Sequence, residues 1–577
     1  MKRFFRVLPL LLLALALLGA FGQAAAQEAP EAVFYGGWPY ALPPDSHLNS
    51  FAAGGPQTSL GIFHELVEMP QAMFLWAENR WVPFLGSEFG FEGDNAYVVT
   101  MNSEALWSDG SPVTSDDLIA TYAIGRILGW SDYNYVDYLE RVDDHTVRFV
   151  LKQPSTIVER LILKTRVRAA ATYGDLAARA TELYESGAAS DSAEWTALAD
   201  EIRAFRPETL LASGPYTFEL EDMGDAFLTL DWQPNSLLSD DVNFGQMQLW
   251  NGETEAVTPL FLNGDIAYGT YGFPPATEQE LISAGLRITR GPQFTGPAIY
   301  FNHTIHPWDV PEVRQAVAHA IDRAESAFLG KGVGARPVQY MAGFSDNLVP
   351  NWLSEDIISS LNQYAFDVDG AAALLESVGF TRGDDGLWLD DEGNPVEAEI
   401  TVPAEFADWV PGVQNAADQL NEFGFQISVV AQPFQEQEQN VYDGNFELAA
   451  RNWGIGNPHP FSTFNQPFSR YNGLNGPGMQ FPMQFEFNGE QVDLTQLIAD
   501  SAAGLDVEAQ QAVVGEIAQI FNGLLPLVPL YETYANNPLN EELVAGAPAD
   551  DDPIWLNGGG DNYIIIMLAT GQLTPAQ

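Results

Sequence analysis

Side chains that bind metals or transfer protons are abundant in this chain, but their spacing matches no site of that kind. The sequence has 78 acidic residues, seven histidines and no cysteine. His303 and His306 are close together, yet they fall on a proline-bounded loop after a strand, where a capping role is typical. Asp390, Asp391 and Glu392 lack the alternating oxygen ligands of a calcium loop and indicate a solvated turn. We therefore expect no metal, no cofactor and no catalytic residue.

A pair of carboxylates is the one catalytic arrangement that stays open. Glycoside hydrolases need two carboxyl groups across the scissile bond, and 78 acids supply many pairs. The sequence has no nucleophile elbow, no zinc-binding His-x-x-x-His pair and no phosphate-binding loop. The lack of cysteine excludes thiol catalysis and cysteine-ligated metals. A secreted oligosaccharide hydrolase is thus an alternative to a protein that only binds.

Aromatic residues beside carboxamides form a pattern that is typical of sugar binding. Tryptophan and tyrosine offer flat apolar faces with a polar edge, and carboxamides both donate to and accept from hydroxyl groups. Packing in a core is the alternative role for each aromatic residue. The candidate ligand-binding residues of this pattern are Trp38, Tyr40, Trp250, Asn251, Asn452, Trp453, Asn457, His459, Tyr531, Tyr534 and Asn536.

The elements that must position these residues alternate between strands and helices, which predicts an α/β protein. With 577 residues the chain is too long for one core, so we expect two or three domains. Helical patterns at 367–378 and 411–423 are followed by Gly379 and Gly424, which suit a left-handed helix end.

The N-terminus is typical of a secretory signal, and the composition is strongly acidic. Lys2, Arg3 and Arg6 precede an apolar stretch at 7–21, so residues 1–26 are predicted to be a signal peptide. Its removal would change the net charge from −54 to −57. Such a field argues against nucleic acid and anionic membranes as partners. We expect a soluble, periplasmic or otherwise extracytoplasmic monomer that is not inserted in the membrane and carries no lipid on cysteine.

Residues 105–117 contain the most recognisable motif. They read Ala-Leu-Trp-Ser-Asp-Gly-Ser-Pro-Val-Thr-Ser-Asp-Asp, a turn at Asp109-Gly110 followed by a helix capped by Thr114, with Asp117 at capping-box spacing. The pattern Trp-Ser-Asp-Gly-x-Pro-x-Thr-x-x-Asp resembles the signature of family 5 of the extracellular solute-binding proteins. These are the receptors of ABC importers for oligopeptides, dipeptides, nickel and some oligosaccharides.

A second segment is similar to another signature of that family. Residues 313–323 carry Val-Arg-Gln-Ala and Ala-Ile-Asp-Arg on one predicted helix, with Asp309 as its cap. We expect Arg314, Asp322 and Arg323 to organise this helix and its neighbours rather than to touch a ligand.

The resemblance covers nearly the whole chain after residue 26 and implies its architecture. It implies a two-lobed, type II periplasmic-binding-protein fold with a hinge, an interlobe cleft and a discontinuous first lobe. It also places Asn49, on the loop after the first strand, near the ligand. The implied divisions are lobe I at 27–76, 208–295 and 523–577, an extra subdomain with the signature at 77–207, and lobe II at 296–522.

The segment at 453–460 departs from the family's peptide receptors. Those receptors carry Trp-x-x-Asp-Tyr-x-Asp-Pro, in which an aspartate pairs with the peptide α-ammonium. Here Ile455 or Gly456 takes the aspartate position and Asn457 takes that of the second acid. A buried ammonium without a carboxylate is costly. The departure favours a β-linked oligosaccharide, as in the cello-oligosaccharide and β-glucoside branch of the family.

The resemblance therefore implies the substrate-binding component of an ABC importer. Such a protein is not an enzyme: it would capture an oligosaccharide between two lobes and deliver it to a permease that works with ATPase subunits. An oligopeptide or dipeptide receptor of the same fold is the alternative.

Overall fold

The computed structural model describes residues 28–577. The predicted signal peptide at 1–26 lies outside the described residues. Within 28–577, no helix combines the length and the apolar character that a membrane crossing requires.

A seven-stranded mixed sheet contains the first strand of the described chain. The strand Val33–Gly37 lies at its centre, between two parallel neighbours. Antiparallel strands complete both edges. In sheet order the strands are Arg287–Thr289, Asn537–Leu539, Tyr268–Gly269, Val33–Gly37, Gln246–Trp250, Phe227–Trp232 and Tyr216–Thr217.

A five-stranded mixed sheet forms a second, separate layer. Four of its strands run in one direction, and Pro297–Phe301 runs antiparallel to both of its neighbours. In sheet order the strands are Gln426–Gln432, Glu397–Pro403, Leu448–Asn452, Pro297–Phe301 and Leu527–Pro529. Each of the two sheets anchors a large buried apolar cluster.

The chain crosses between the two sheets at residues 290–296 and again at 530–536. The two crossings run side by side: Thr533 N donates to Thr295 O at 2.8 Å, and Gln293 N donates to Thr533 O at 2.9 Å. The limits of the predicted lobes stay predictions. The strand Leu527–Pro529, which the sequence assigned to lobe I, pairs within the second sheet.

A four-stranded antiparallel sheet lies within the predicted extra subdomain. Its strands, in sheet order, are Gly86–Phe91, Ala96–Met101, Thr146–Leu151 and Val136–Arg141. Two-stranded pairs elsewhere are Ala72–Leu75 with Arg80–Pro83, Ala335–Pro337 with Tyr531–Thr533, Thr381–Arg382 with Trp388–Leu389, Gln484–Phe487 with Glu490–Asp493, and Val544–Ala545 with Thr574–Pro575.

Helices connect these strands and cover the sheets. The α-helices are Pro56–Leu60, Ser115–Ile127, Ile157–Lys164, Ala170–Glu185, Ala193–Ala204, Thr254–Asn263, Pro275–Ser283, Pro311–Ala320, Arg323–Lys331, Val349–Trp352, Glu355–Ser360, Val368–Ser377, Val410–Phe423, Phe434–Tyr442, Pro460–Asn465, Leu494–Asp500, Val507–Leu524 and Tyr563–Ala569. Short 3-10 turns occur at Gly61–Leu66, Ser131–Asn134, Leu220–Asp222, Gly332–Gly334, Pro553–Leu556 and Gly559–Asp561, and a π-helical turn at Gln466–Leu474. The predicted α/β class is confirmed.

Several helix ends follow the predicted chemistry. Thr114 and Asp117 form the capping box of the helix Ser115–Ile127, with Thr114 N donating to Asp117 Oδ2 at 2.7 Å. Gly379 and Gly424 have φ angles of +93° and +105°, so each provides the left-handed conformation after its helix.

The helix predicted over 313–323 is wrong in one respect, because it is two helices. The first is Pro311–Ala320, and Ile321 is extended. The side chain of Asp322 then accepts from the backbone N–H groups two and three residues on, at 3.0 and 3.3 Å, and starts the helix Arg323–Lys331. Asp322, an N-capping acid inside the predicted helical pattern, therefore divides the predicted helix in two.

The predicted cap of the first of these helices is also wrong. Its N-cap is Val310, without a side-chain hydrogen bond. Asp309 instead lies 3.1 Å from Nδ1 of His306. The Asp309 carboxylate therefore faces this imidazole, and the helix begins without a side-chain cap.

The structural role predicted for the arginines of this motif agrees with the hydrogen bonds. Arg314 donates from Nε to Leu525 O at 2.8 Å, and Arg323 donates from Nη1 to Ala318 O at 2.7 Å. Both side chains are buried. They hold neighbouring chain segments together through carbonyl groups.

Candidate functional site

A cleft of about 1440 Å³ lies between two walls whose residues are far apart in the sequence. One wall comes from residues 74–161, and the other from 347–352 and 455–511. Phe294 and Leu556 also border it. Binding pockets for single small molecules are usually about 300–1,000 Å³. This cleft therefore has room for an oligomeric ligand.

Four tryptophans and eight carboxamide residues contribute to the lining. Trp76, Trp81 and Trp130 belong to the first wall, and Trp352 belongs to the second. Flat rings on both walls provide stacking surfaces. The carboxamide residues that line the cleft are Asn79, Asn134, Asn347, Asn351, Asn457, Asn465, Gln466 and Gln511.

Trp76 is fixed from three directions. Its ring stacks on Phe294 with centroids 4.5 Å apart and an interplanar angle of 28°. Its indole Nε1 donates to Asp561 Oδ2 at 2.9 Å, and its backbone N donates to Asn557 Oδ1 at 3.1 Å. Because the indole N–H is used inside the protein, Trp76 presents an apolar ring surface to the cleft.

Asp561 is the buried centre of the wall that holds Trp76. It accepts from Arg160 Nη2 at 2.6 Å and lies 3.3 Å from Lys164 Nζ. It also accepts from Phe74 N at 3.1 Å. Burial disfavours its charged form, but Arg160 and Lys164 hold the pKa of this carboxyl below its usual range.

Trp352 is fixed on the second wall in a similar way. Its Nε1 donates to Pro458 O at 2.9 Å, and its ring lies 4.4 Å from the ring of His459. The Nδ1 atom of His459 accepts from Phe461 N at 3.2 Å, and Nε2 lies 3.3 Å from Oε1 of Gln510. Burial lowers the pKa of His459 to about 4, so the imidazole is neutral at pH 7.

Glu159 is the one carboxylate among the described residues that line the cleft. It accepts from Trp81 Nε1 at 2.9 Å and from Tyr97 OH at 3.0 Å. Both of its oxygens thus hold protein groups. A ligand ammonium would have to share this carboxylate with them.

Arg470 brings a positive charge to the second wall. Its Nη2 donates to Glu438 Oε1 at 2.9 Å, and its Nε donates to Tyr442 OH at 2.8 Å. The same Glu438 oxygen accepts from Nη2 of the buried Arg451 at 2.5 Å. One carboxylate therefore serves two guanidinium groups.

Asn347 connects the cleft to a buried acid. Its Nδ2 donates to Glu532 Oε1 at 2.9 Å, and Tyr534 OH lies 3.0 Å from Nδ2 and 3.1 Å from Oδ1. Ser345 Oγ donates to the same Glu532 oxygen at 2.5 Å. Burial, with a smaller contribution from the charge of Asp346, raises the pKa of Glu532 to about 7. Burial likewise raises the pKa of Asp346 to about 6.

Two of the residues predicted to bind ligand, Asn457 and His459, line the cleft. The side-chain oxygen of Asn457 accepts from His459 N at 2.9 Å, so the pair forms one turn of the second wall. The structure places the other predicted residues away from the lining of this cleft. Contact between these residues and a ligand stays a prediction.

Among the predicted aromatic residues, three belong to the crossing region and its surroundings. Trp453 is 1% exposed and its Nε1 lies 3.4 Å from Tyr531 O. Tyr531 is fully buried and donates to Asp408 O at 2.8 Å. Tyr534 contacts Asn347 from behind the cleft wall. Core packing thus accounts for Trp453 and Tyr531.

The remaining predicted aromatic residues lie near the first sheet. Trp38 Nε1 donates to Thr58 O at 2.9 Å. Tyr40 OH donates to Gly224 O at 2.8 Å. Trp250 packs edge-to-face on a neighbouring phenylalanine with centroids 5.5 Å apart.

The predicted carboxamides outside the lining bind backbone or side-chain groups of the protein. Asn49 donates to Ile202 O at 2.7 Å, and Asn536 donates to Phe273 O at 2.7 Å. Asn251 accepts from Tyr40 N at 3.0 Å, and Asn452 accepts from Tyr471 OH at 3.2 Å. Each of these four side chains fixes the path of the chain.

Five residues of the lining were not predicted from the sequence: Trp76, Trp81, Trp130, Trp352 and Arg470. One signal could have found part of this set. Asn351-Trp352 is an aromatic residue beside a carboxamide, the same criterion that selected the predicted residues. No such pattern marks Trp76 or Arg470 in the sequence, because the residues that contact their side chains come from other segments of the chain.

Residues 28–577 contain no group of three or more histidine, cysteine, aspartate or glutamate side chains arranged to hold a metal ion.

The family model described as bacterial extracellular solute-binding proteins, family 5 Middle, matches residues 81–475 of this chain. A Brucella ovis protein provisionally named ABC transporter peptide-binding protein is 24% identical over 349 residues. The match covers 58% of this chain and 58% of that relative.

Solved structures share the fold over nearly the whole chain. An oligopeptide ABC transporter periplasmic oligopeptide-binding protein of Thermotoga maritima has 19% identity and a TM-score of 0.78, covering 94% of this chain and 99% of that one. The same protein bound to mannohexaose has 20% identity and a TM-score of 0.70, with 94% and 98% covered. NikA of Brucella suis in complex with Fe(III)-EDTA has 18% identity and a TM-score of 0.71, with 94% and 99% covered. These structural similarities confirm the predicted two-lobed, type II periplasmic-binding-protein fold. At sequence identities of 18–20% they show the fold and nothing about the ligand.

Proposed function

Because the chain belongs to family 5 of the bacterial extracellular solute-binding proteins, we propose that it is the solute receptor of an ABC importer and that its solute is a β-linked oligosaccharide. The receptor binds the solute in the cleft outside the cytoplasm, and closure of the two lobes favours the form that a permease recognises. Permease and ATPase subunits are its protein partners, and it acts as a monomer.

One observation carries the choice of solute. Trp76 and Trp352 stand on the two walls of one cleft, and both indole N–H groups are bonded within the protein. The rings therefore offer faces and edges rather than donors. The C–H faces of a pyranose are apolar surfaces that match such rings, and each ring fixed in advance lowers the ordering cost of binding.

The other lining residues support the same choice. Eight carboxamide side chains line the cleft, and a carboxamide satisfies a hydroxyl as donor or acceptor. Asn457, at the position of the second acid of peptide receptors, lines the cleft, as does Ile455, which with Gly456 is a candidate for the position of their first acid. Glu159 is already held by Trp81 and Tyr97. A peptide α-ammonium would have no dedicated partner.

An oligopeptide is the second candidate solute. The names of the Brucella relative and of the Thermotoga maritima structure both describe peptide or oligopeptide binding. Carboxamides also bind peptide groups, and a cleft of about 1440 Å³ accommodates several residues. The structure with bound mannohexaose supports the oligosaccharide.

A secreted hydrolase would cleave the oligosaccharide, whereas the proposed receptor only binds it. A glycosidase needs two carboxyl groups about 5–9.5 Å apart across the bond. Glu159 is the one carboxylate of the described lining, so the cleft offers a single acid where that chemistry needs two.

Thermal unfolding with a ligand panel tests the proposal. A solute that binds the folded state raises the Tm. We expect cello-, xylo- or manno-oligosaccharides of four to six units to raise the Tm, and tri- to pentapeptides to leave it unchanged. A shift with peptides alone would reject the oligosaccharide. Release of shorter sugars over hours of incubation would show hydrolysis and would reject a receptor that only binds its solute.

A further inference from the structure

Glu532 lies outside the lining of the cleft, on the second crossing between the sheets, and a hydrogen bond joins it to Asn347 in the lining. We propose that Glu532 positions the carboxamide of Asn347 for the solute, so that solute affinity rises with pH. This inference rests on the proposed function and adds a positioning residue to the proposed cleft. It applies to either candidate solute, because it concerns the protein side of the contact.

The Asn347 carboxamide has one favourable orientation while Glu532 is ionised. Its Nδ2 donates to Glu532 Oε1 at 2.9 Å, and Tyr534 OH lies 3.1 Å from its Oδ1. An ionised carboxylate can only accept hydrogen bonds. Turning the carboxamide over would therefore set two oxygen acceptors against each other. Because the orientation is fixed before a solute arrives, the ordering cost of binding is lower.

Glu532 is itself held firmly. It is 2% exposed, and Ser345 Oγ donates to the same Oε1 atom at 2.5 Å. Its strand, Tyr531–Thr533, pairs with Ala335–Pro337. The neighbouring Thr533 is bonded to the first crossing through its N–H and its C=O, at 2.8 and 2.9 Å. A carboxylate fixed in this way can orient a side chain of the cleft wall.

The charged and titratable groups around Glu532 come from several parts of the chain. Asp346 faces it from the cleft wall, and the charge of each acid opposes that of the other. Tyr534 lies on the same crossing, and the guanidinium of Arg336, on the paired strand, lies 4.3 Å from the centre of its ring. Arg323 faces Asp346 and partly offsets the effect of burial on the pKa of that carboxyl.

Burial dominates the proton affinity of Glu532. Together with the smaller effect of the Asp346 charge, it raises the pKa of Glu532 to about 7. Residues 291–296 of the first crossing have no titratable side chain that would offset this effect. The carboxyl therefore gains and loses its proton near neutral pH.

Protonation of Glu532 loosens its control over Asn347. A hydrogen bond to a charged acceptor is roughly twice as strong as one between neutral groups. A protonated carboxyl also has an O–H donor, so it can pair with either end of a carboxamide. At low pH Asn347 therefore divides between two orientations, of which the solute fits one. By linkage, a solute that binds the ionised form better also releases protons when it binds.

Calorimetric titration of the purified protein between pH 5 and 8 tests the proposal with probes that do not titrate. The sugar probes are cellotetraose, xylotetraose and mannotetraose, and the peptide probe is acetyl-tetraalanine amide. None of them has an ionisable group in this range, so an effect of pH on affinity belongs to the protein.

We expect the affinity for the probe that binds to rise about fivefold from pH 5 to 8, the difference between a charged and a neutral hydrogen bond. Binding at pH 7 should release about 0.3 proton, measured from the dependence of the binding heat on the ionisation enthalpy of the buffer.

Two variants assign these effects to the proposed contact. Glu532→Gln should lose both effects and keep, at pH 8, the affinity that the wild type has at pH 5, because glutamine also donates and accepts. Asn347→Ala should lose the pH dependence as well, since Glu532 acts through this side chain. The control is Glu201→Gln, at an exposed glutamate paired with Arg179 outside the cleft, and it should keep the wild-type pH dependence.

Binding with an affinity that stays constant from pH 5 to 8 would overturn this inference and leave the proposed function standing. A pH dependence that persists in Glu532→Gln or in Asn347→Ala would overturn the positioning role of Glu532. If the peptide alone bound, the choice of an oligosaccharide would be rejected, and the same pH comparison would decide the inference. If no probe bound at any pH, the proposed function and the inference would both be rejected.

Discussion

The indole ring of Trp76 stacks on the ring of Phe294, with centroids 4.5 Å apart and planes 28° from parallel. Phe294 lies in the first crossing between the two sheets and has a φ of +59°, which is unusual for a residue other than glycine. The crossing therefore supports one face of the ring that we propose as a stacking surface. Movement of the lobes about the crossings would carry this surface with it.

Removing either tryptophan should weaken solute binding. Trp76→Ala or Trp352→Ala should cost about 1–2 kcal/mol of binding free energy, roughly 5- to 30-fold in Kd, because a stacking face is lost. Calorimetric titration with the oligosaccharide that raises the Tm measures this. Trp232→Ala, at a partly buried tryptophan of the first sheet, is the matched control. An unchanged Kd in both cleft variants would contradict the role of the rings.

Asp561→Asn should destabilise the fold. It leaves Arg160 and Lys164 without the buried carboxylate that holds them, and breaking a buried ion pair costs about 3–5 kcal/mol. Urea unfolding measures the change. Asp391→Asn, which removes an exposed partner of His306, should cost about 1 kcal/mol or less. A similar small loss in both variants would show that the Asp561 cluster contributes little.

Glu532→Gln should change how stability depends on pH. The pKa of Glu532 is about 7 in the folded protein against an ordinary value of 4.5, so the folded state binds the proton more tightly. Its stabilising contribution is complete at low pH and is lost as the pH rises through about 7. The wild type should therefore lose free energy of unfolding relative to Glu532→Gln between pH 5 and 8, by at most about 1.4 kcal/mol per pH unit.

Asp346→Asn is the companion variant for that measurement. It removes the neighbouring acid but keeps Glu532 and its bonds to Ser345 and Asn347. Part of the pH dependence should remain in it, because burial alone raises the pKa of Glu532. If the free energy of unfolding changed equally with pH in the wild type and in Glu532→Gln between pH 5 and 8, the raised pKa of Glu532 would be contradicted.

The sequence predicted local structure well where one residue decides the geometry. The capping box of Thr114 and Asp117 and the helix ends at Gly379 and Gly424 depend on neighbours within a few residues. The break at Asp322 was missed because apolar spacing continued across it. A capping acid and an acid on a helix surface look alike until the backbone is known.

The candidate site was predictable only in part. Asn457 and His459 were found because the family's ligand segment points to them. Trp453 came from the same segment, but its ring packs in the core beside Tyr531. Trp76 depends on Phe294 and Asp561, which are more than 200 and 480 positions away along the chain. Such an environment cannot be derived from local spacing.

Calorimetric titration of the purified protein with cello-, xylo- and manno-oligosaccharides, beside peptides of three to five residues, tests the central claim most directly. We expect saturable one-to-one binding of an oligosaccharide, with no product formed during the titration. Binding of peptides alone, or binding of neither class, would contradict it.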